Sequence, residues 1–267
     1  MLYLIGCECS KVGGCHAAES SLQLPFVDLQ EVSATSRKAD TIIYRKQIQE
    51  HKDILDWITP VNYGPQQSDN IGRRLLGTGQ WLLDSVQFHN WLDTCSQSLF
   101  CPGIPGAGKT ILTSIVVDNL ETLSVDNRTV GIAYVYCNFR RQDEQTAKEL
   151  LESLVKQLLQ GLSDFPESVK SFHEKHRKNK SRPSLEEISS TLLSITKLYS
   201  RVFILIDALD ECRTSDGSRT RLLEEVFGLQ AQSGINIFAT SRLIPNVTSR
   251  FEDSIFLEIR ATDEDVS

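Results

Sequence analysis

The chain has 267 residues, enough for one or two domains, and 40% of them are apolar, enough for a sizeable packed core. Its 28 basic and 35 acidic residues give a net charge of −7, which disfavours nucleic acid and anionic membrane surfaces as partners because both attract basic proteins. The longest apolar stretches, such as Val202–Ile206, are far shorter than the ~18 residues of a membrane-spanning helix. We therefore expect a globular protein that binds neither nucleic acid nor a membrane.

The cysteines number seven, which is odd, and they have no regular spacing in the chain. This pattern favours reduced thiols over a disulfide framework, and we therefore expect a cytoplasmic protein. A small zinc cluster near the N-terminus is disfavoured because Cys7, Cys9, Cys15 and His16 lack the usual ligand spacing.

The N-terminal third of the chain carries weaker signals. Residues 1–40 have no periodic pattern and are expected to be poorly ordered. Apolar residues between Asp40 and Trp57 recur as in an amphipathic helix, which Pro60 ends. Residues 61–80 are rich in turn-forming residues and predict a connector, followed by a short helix through Trp91 and Leu92. We therefore predict a poorly ordered segment over 1–40, a helical lead-in over 41–95 and a main domain over 96–267.

In the main domain, short apolar strands alternate with amphipathic helices, which is typical of a parallel sheet covered on both faces. One helix is predicted from Ala147 to Leu159. Another begins at Ser184, where Glu187 three residues later completes a capping box. Its predicted buried face is Leu185, Ile188, Leu192, Ile195 and Leu198. The predicted strands are Leu99–Cys101, Ile132–Cys137, Val202–Ile206, Ile235–Ala239 and Ile255–Ile259. The fold class is α/β, a three-layer αβα sandwich with a mostly parallel five-stranded sheet.

The first predicted strand leads into the sequence GIPGAGKT, residues 103–110, which matches GxxxxGK[ST] between a strand and a helix that begins near Ile111. Glycines let backbone N–H groups turn toward phosphate oxygens, and the helix N-terminus adds partial positive charge. Lys109 supplies a full charge for the β- and γ-phosphates, and Thr110 a hydroxyl for Mg²⁺. The predicted nucleotide-binding residues are Gly103, Ile104, Pro105, Gly106, Ala107, Gly108, Lys109, Thr110 and Ile111.

Two further strands end in polar residues that belong at the same edge of the sheet, where open α/β sheets bind ligands. Asp207 follows the strand Val202–Ile206 and is predicted to face Mg²⁺, while Asp210 or Glu211 could polarise the attacking water. Arg242 follows the next strand and could reach a γ-phosphate. The alternative for this single arginine is an ion pair with a surface acid.

Three other functions fit less well. A small GTPase would carry NKxD and DxxG, but the chain has no NKxD and carries DALDE at the acidic motif. A nucleotide kinase would have an arginine-rich lid, but the basic run His173–Arg182 is explained better as a solvated helix end. Nor does this run indicate nucleic-acid binding, since no aromatic residue is interleaved with the basic ones. The intact lysine, threonine and acidic residues disfavour the third function, a non-catalytic interaction module that has kept the fold.

Together, GIPGAGKT, FILIDALDEC and FATSR resemble the NACHT branch of the signal-transducing (STAND) P-loop ATPases. The stretches DILDWITP, GTGQWLL and AYVYCNF resemble the nephrocystin-3-like N-terminal module of fungal NACHT and ankyrin-repeat proteins, over about residues 53–265. The resemblance implies that residues 96–267 are a NACHT-like P-loop NTPase domain. It assigns the loop glycines, Lys109 and Thr110 to phosphates and magnesium, Asp207 to the metal, Asp210 and Glu211 to hydrolysis, and Arg242 to sensing the γ-phosphate. Residues 77–81 would flank the base.

The resemblance also implies a function, in which ATP or ADP with Mg²⁺ works a slowly hydrolysing switch in incompatibility or innate-immunity-like signalling. The NTPase domain would form homo-oligomers and act on a protein partner that the sequence does not identify. The chain ends at Ser267, where a helical domain, winged helix and repeat array follow in the family, and its first 50 residues resemble no effector domain. We therefore expect either a product truncated after the NTPase core or a lone module that works with a partner.

Overall fold

The computed structural model describes the backbone of residues 29–260 and the side chains of residues 40–260. The chain divides into two compact units, Met1–Gln47 and Ile48–Ser267. Predictions for residues 1–28 and 261–267, including the cysteine and histidine residues near the N-terminus, lie outside the described residues. The described helices are α1 (Leu29–Ile58), α2 (Gly64–Gly72), α3 (Gln80–Leu83), α4 (Val86–Asp93), α5 (Lys109–Leu123), α6 (Ala147–Gln160), α7 (Glu167–Asn179), α8 (Leu185–Thr196), α9 (Ser218–Ser233) and α10 (Pro245–Thr248).

The strands are β1 (Ser98–Pro102), β2 (Val130–Tyr136), β3 (Arg201–Asp207), β4 (Asn236–Ser241) and β5 (Ile255–Phe256). They form one parallel sheet in the order β2-β3-β4-β1-β5. Strands β1 and β4 are buried at every residue, as expected for a sheet covered by helices on both faces. The predicted α/β class and five-stranded sandwich are confirmed. Only β5 is clearly shorter than predicted, and beyond it the chain pairs again at a single bridge between Gly103 and Ile259.

Helix α8 begins as its capping pattern predicts. The Ser184 hydroxyl accepts from the Glu187 backbone N–H at 3.2 Å, and the Glu187 carboxylate accepts from the Ser184 N–H at 3.0 Å. Ile188, Leu192 and Ile195 are buried, and Leu185 is partly buried. Leu198 is exposed instead, because the helix already ends at Thr196 and the residue falls outside the helical periodicity.

Helix α1 begins at Leu29 rather than at Asp40, so residues 29–40 are helical rather than poorly ordered. Neither proline nor glycine occurs between Leu29 and Trp57, and nothing in that stretch interrupts a helix. In the unit that begins at Ile48, Ile54 and Ile58 of α1 are buried in the hydrophobic core. No helix in the described range, 29–260, combines the length and the apolar character required to cross a bilayer.

The connector predicted over residues 61–80 was wrong for Gly64–Gly72, which form α2. Pro65 is tolerated there because it stands in the first turn, where its missing N–H is not needed. The helix is fixed by long-range contacts: buried Gln67 donates to the Ser114 carbonyl at 2.9 Å and accepts from the Tyr136 hydroxyl. Counting the turn-forming residues between 61 and 80 cannot reveal such long-range contacts.

The predicted short helix through Trp91 consists of two pieces, α3 and α4. Trp91 in α4 is fully buried, and its indole N–H donates to the Ile237 carbonyl of β4 at 2.9 Å. Phe203 of β3 and Phe238 of β4 pack against its ring. Ile54, Leu82 and Trp91 of the lead-in therefore belong to the same hydrophobic core as the sheet.

The prediction of reduced thiols was wrong for Cys137 and Cys212, which form a disulfide. They lie 75 residues apart in sequence, but β2 and β3 are paired neighbours, and the first cysteine directly follows β2. The pairing of these strands brings the two Cα atoms to 5.4 Å. In the described part of the chain, Cys95 and Cys101 are free.

Candidate nucleotide-binding site

The loop between β1 and α5 is built on glycines that other residues would strain. Gly106 and Gly108 both have φ of +82°, in the left-handed region that disfavours residues with a Cβ. Gly103 is required for a different reason, since a Cβ at this position would lie 2.7 Å from the Ile259 carbonyl oxygen. Helix α5 begins at Lys109, two residues before the predicted start. Its unpaired first N–H groups therefore lie at the end of the loop, the arrangement that suits a phosphate.

Lys109 is held against the loop. Its ammonium donates to the carbonyl oxygens of Gly103 and Ile104, both at 2.9 Å. Partial burial lowers the pKa of Lys109, and the carboxylates of Asp210 and Asp207 only partly oppose this. An anion in the loop would favour the charged form of the lysine. The Lys109 side chain thus places a cation beside the glycine loop.

Asp207 ends β3 and is buried, with 1% of the residue exposed. Its Oδ2 accepts from the Thr110 hydroxyl at 2.7 Å, and its Oδ1 accepts from the hydroxyls of Thr113 at 3.1 Å and Thr240 at 2.6 Å. Burial raises the pKa of Asp207, although the three hydroxyl groups oppose that effect. A buried carboxylate with so little compensating charge is a position where a cation would be stabilised.

The two residues predicted to bind the metal, Thr110 and Asp207, are therefore in direct contact. A hydroxyl and a carboxylate are the oxygen ligands that Mg²⁺ takes from a protein, while water and phosphate oxygens complete its octahedron. Residues 40–260 contain no cluster of three or more His, Cys, Asp or Glu that could hold a metal without such additional ligands. The donor set accordingly fits magnesium bound together with a phosphate.

Asp210 and Arg242 form an ion pair at the same end of the sheet. The Arg242 backbone N–H donates to Asp210 Oδ1 at 2.9 Å, and its Nε donates to Oδ2 at 2.5 Å. The carboxylate side chain is 4% exposed and the arginine side chain 52% exposed. Burial would raise the pKa of Asp210, but the hydrogen bonds and charge of Arg242 outweigh it and lower the pKa. This geometry is compatible with both predictions for Arg242, an ion pair with an acid and a position near the phosphates.

Glu211 is held by the segment that follows β2. Its Oε2 accepts from the Phe139 backbone N–H at 3.2 Å, and its backbone carbonyl accepts from the Gln142 side chain at 2.8 Å. Residues 139–144 form a short 3-10 helix. The far end of this segment is anchored by buried Gln145, whose amide donates to the Tyr136 carbonyl at 2.8 Å. The carboxylate is thus positioned by a backbone N–H of the segment after β2, and the Gln142 side chain holds the Glu211 backbone to the same segment.

One cavity of about 730 Å³ connects most of these groups. Its lining consists of Pro105, Gly106, Gly108, Lys109, Thr110, Ile111, Phe139, Gln142, Ala208, Asp210, Glu211 and Arg242. Gly103, Ile104 and Ala107 belong to the same loop but not to the lining, and Asp207 lies behind Thr110. Residues 77–81, expected to flank a base, are likewise not among the described residues that line it. Gly79 instead packs close to Leu112 and Ile115 of α5.

These observations agree with the result of a comparison with protein families. The family model described as "Nephrocystin 3, N-terminal" matches residues 77–242, more than half of the chain and the whole span from the loop to Arg242. The chain belongs to this family. A comparison with curated proteins gave no match.

Solved structures similar to this member of the nephrocystin-3 N-terminal family include the Orc1 protein of Aeropyrum pernix in complex with DNA, at 17% identity and a TM-score of 0.42, over 78% of this chain and 48% of that chain. AMPPCP-bound DnaA from Aquifex aeolicus matches at 16% identity and a TM-score of 0.41, over 73% of this chain and 51% of that chain. A Walker-type ATPase of Pyrococcus abyssi matches at 14% identity and a TM-score of 0.42, over 68% of this chain and 53% of that chain. The chain spans about half the length of these proteins, and we draw no functional conclusion from them.

Sequence reasoning missed several residues of the site. Thr113 was not singled out, although it lies one helical turn after Lys109 and its hydroxyl bonds to Asp207. Phe139 ends the AYVYCNF stretch but was assigned no role, and Gln142 lies in no motif, yet both line the cavity and contact Glu211. Arg219 does not line this cavity, but the carboxylate of Asp210 opposes the lowering of its pKa by burial. A search for polar residues one turn after GKT could have found Thr113, but the others depend on the order of strands.

Proposed function

We propose that this chain binds ATP or ADP with Mg²⁺ in the cavity between the glycine loop and the ends of β3 and β4, and that it hydrolyses ATP slowly. The observation that carries the proposal is the contact between Thr110 at the start of α5 and buried Asp207 at the end of β3. It joins the phosphate loop to a buried carboxylate whose side-chain hydrogen-bond donors are all neutral hydroxyls, in a site where Lys109, Glu211 and Arg242 line the same cavity.

Each side chain has a distinct task in this proposal. Loop N–H groups and Lys109 bind the phosphates, and Thr110 and Asp207 hold the metal, directly or through a water. Bound Mg²⁺ neutralises charge on the phosphate oxygens. Glu211, held by the Phe139 N–H, orients the water and accepts its proton, and Arg242 contacts the γ-phosphate by leaving Asp210.

We further propose that the nucleotide controls a signalling switch of the NACHT or STAND type, in incompatibility or innate-immunity-like responses. The resemblance of the three motifs supports this role, together with a cytoplasmic location, homo-oligomerisation through the NTPase domain and a protein partner. A nucleic-acid partner is not proposed. Much of the basic run His173–Arg182 is engaged within the chain, since Lys175 pairs with Glu187 at 2.7 Å and Arg177 with Glu174 at 2.9 Å.

Equilibrium binding of ATP, ADP and GTP, with and without Mg²⁺, tests the binding step. Replacing Lys109 with alanine removes a charge-assisted contact worth ~1.5–3 kcal/mol, so the affinity should fall about 10- to 150-fold. Lys178→Ala is the matched control, because this lysine lies in α7 and does not line the cavity. Adenine-selective binding that is lost only in the first variant is expected. Equal affinities in the two variants would contradict the proposed site.

Hydrolysis requires a separate test. The Glu211→Gln variant keeps the shape of the side chain but cannot accept a proton, so ATP affinity should persist while hydrolysis slows by about 10²- to 10⁴-fold. Phosphate release under saturating ATP measures this step. Binding without hydrolysis in the wild-type chain would show instead a non-catalytic nucleotide-binding module, and preference for GTP would contradict the adenine assignment.

A further inference from the structure

We propose that Cys137 and Cys212 form a thiol-modification site, oxidised by small-molecule disulfides and reduced by small thiols, which positions Glu211 for hydrolysis. The pair is placed where it can do this, since Cys137 directly follows β2 and Cys212 is the residue after Glu211. The Cα separation of 5.4 Å lies within the range that a disulfide requires. The catalytic consequence rests on the proposed function, whereas the chemistry of the pair does not.

The pair joins two segments that already meet at Glu211. On one side is the segment after β2, whose Phe139 N–H and Gln142 amide both bond to Glu211. On the other side is the end of the acidic motif, where Arg213 pairs with Asp143 at 3.3 Å. A covalent link between residues 137 and 212 fixes the spacing of these segments. With free thiols the spacing depends on the backbone bond from the Cys137 N–H to the Asp207 carbonyl at 3.1 Å, on the two bonds to Glu211 and on the Arg213–Asp143 ion pair; the covalent link adds a constraint directly beside Glu211 that none of these provides.

Access to the pair is limited, and this favours small reagents. Cys137 is 5% exposed and Cys212 1% exposed, so a protein partner cannot reach the sulfurs without local opening. The adjoining residues Phe139, Gln142 and Glu211 line the cavity, so a small thiol that enters the cavity lies next to the segments that carry both sulfurs. Among the other described cysteines, Cys101 is fully buried in β1 and burial raises its pKa, so it is a poor nucleophile.

The oxidation is an ordinary thiol–disulfide exchange. The thiolate of one cysteine attacks the sulfur–sulfur bond of a disulfide such as oxidised glutathione, forming a mixed disulfide and releasing one glutathione thiolate. The second cysteine attacks the mixed disulfide, forming the Cys137–Cys212 bond and releasing the second glutathione. The protein loses two protons and two electrons, and two molecules of reduced glutathione carry them away. Excess thiol reverses both steps.

The test uses the full chain with Cys7, Cys9, Cys15 and Cys95 replaced by serine, which leaves Cys101 and the pair. Oxidised and reduced glutathione set the redox state, and alkylation followed by mass measurement counts the free thiols. At saturating ATP, we expect the oxidised form to hydrolyse ATP about tenfold faster than the reduced form. A misplacement of a catalytic group by about 1 Å can lower the rate ~100-fold, so a tenfold difference corresponds to a smaller displacement of Glu211. Nucleotide affinity should change less than about twofold, because the glycine loop is on another strand.

Variants of the pair supply the controls. Cys137→Ser and Cys212→Ser, singly and together, should hydrolyse at the reduced rate in either form of glutathione, and Cys137→Ala replaces any serine variant that fails to fold. Reduction of the parent chain tests the same point without a substitution. If no disulfide forms in oxidised glutathione, or if the two redox states hydrolyse at equal rates, the inference is overturned.

A second readout separates this inference from the proposed function. Hydrogen exchange of residues 138–145 reports the spacing of the two segments and does not depend on ATP hydrolysis. Exchange should be faster in the reduced form and in both single variants. If neither redox state hydrolyses ATP but exchange still follows the disulfide, the hydrolysis proposal fails and the positioning role of the pair stands. Unchanged exchange would overturn the positioning role whatever the rates.

Discussion

Replacing Asp207 with asparagine should make the protein more stable while removing a carboxylate ligand from the proposed magnesium site. Burial raises the pKa of Asp207, which means that the folded protein favours the neutral form of this side chain. Asparagine is neutral and has the same shape. Its Oδ1 can accept from Thr113 and Thr240, and its Nδ2 can donate to the Thr110 hydroxyl in place of the bond that Oδ2 now accepts.

The magnitude follows from these contacts. Three charge-assisted hydrogen bonds become neutral ones, and each loses ~1 kcal/mol, or ~3 kcal/mol together. Removing the buried charge recovers a desolvation cost of several kcal/mol, of order 4–5 kcal/mol. The free energy of unfolding should therefore rise by ~1–2 kcal/mol. For a chain of this size, that corresponds to a rise in Tm of about 2–8 °C.

Thermal unfolding of the nucleotide-free proteins at pH 7 with EDTA measures this difference. The control is Asp207→Ala, which opens a small cavity and leaves the hydroxyls of Thr110 and Thr240 without their acceptor, while Thr113 keeps its bond to the Lys109 carbonyl. This variant should be destabilised by ~2–3 kcal/mol. A lower Tm for the asparagine variant than for the wild type would refute the reasoning. It would mean that the hydroxyl groups more than offset the burial of the charge.

The further predictions concern the loop and a helix cap. Gly103→Ala should lower the free energy of unfolding by ~1–3 kcal/mol and weaken nucleotide binding, because the added Cβ lies 2.7 Å from the Ile259 carbonyl oxygen; chemical denaturation with a binding assay measures both. Two hydrogen bonds lower the pKa of Glu187 to about 2, and the one from Lys175 has a larger effect than the one from the Ser184 backbone N–H. The stabilisation by Glu187 is therefore present above the ordinary value of 4.5 and is lost as the pH falls toward 2, and an NMR titration should find this pKa shifted upward in Lys175→Met.

The parts of the fold that sequence reasoning predicted are those with local signals. The strand β3 is an apolar run between polar segments, and the start of α8 is set by Ser184 and Glu187 within one turn. The glycine loop is equally local, because its backbone conformation and its helix N-terminus depend on neighbouring residues. For such features the chain order of residue types suffices.

The parts that it missed depend on contacts between distant segments. Helix α2 looked like a connector because its stabilising partners, Ser114 and Tyr136, lie on another helix and on β2. The cysteine pair looked unpaired because its 75-residue separation closes only when β2 and β3 become neighbours. Strand order follows from how the helices cover the sheet, and no single segment carries that information. The predicted site residues came together nonetheless, since parallel strands all end at the same edge.

In the proposed function, the Asp210–Arg242 pair would connect the site to a change of state. Arg242 is half exposed, whereas the Asp210 carboxylate is buried and depends on that arginine for its low pKa. A γ-phosphate that draws the guanidinium away would leave Asp210 with the Arg242 N–H and the charges of Lys109 and Arg219, whose pKa values the carboxylate already raises. Because a buried charge that loses its closest partner is costly, we expect the turn at Asp210 to rearrange. In the proposed function, loss of the γ-phosphate would restore the pair, so the same two residues would favour different arrangements before and after hydrolysis.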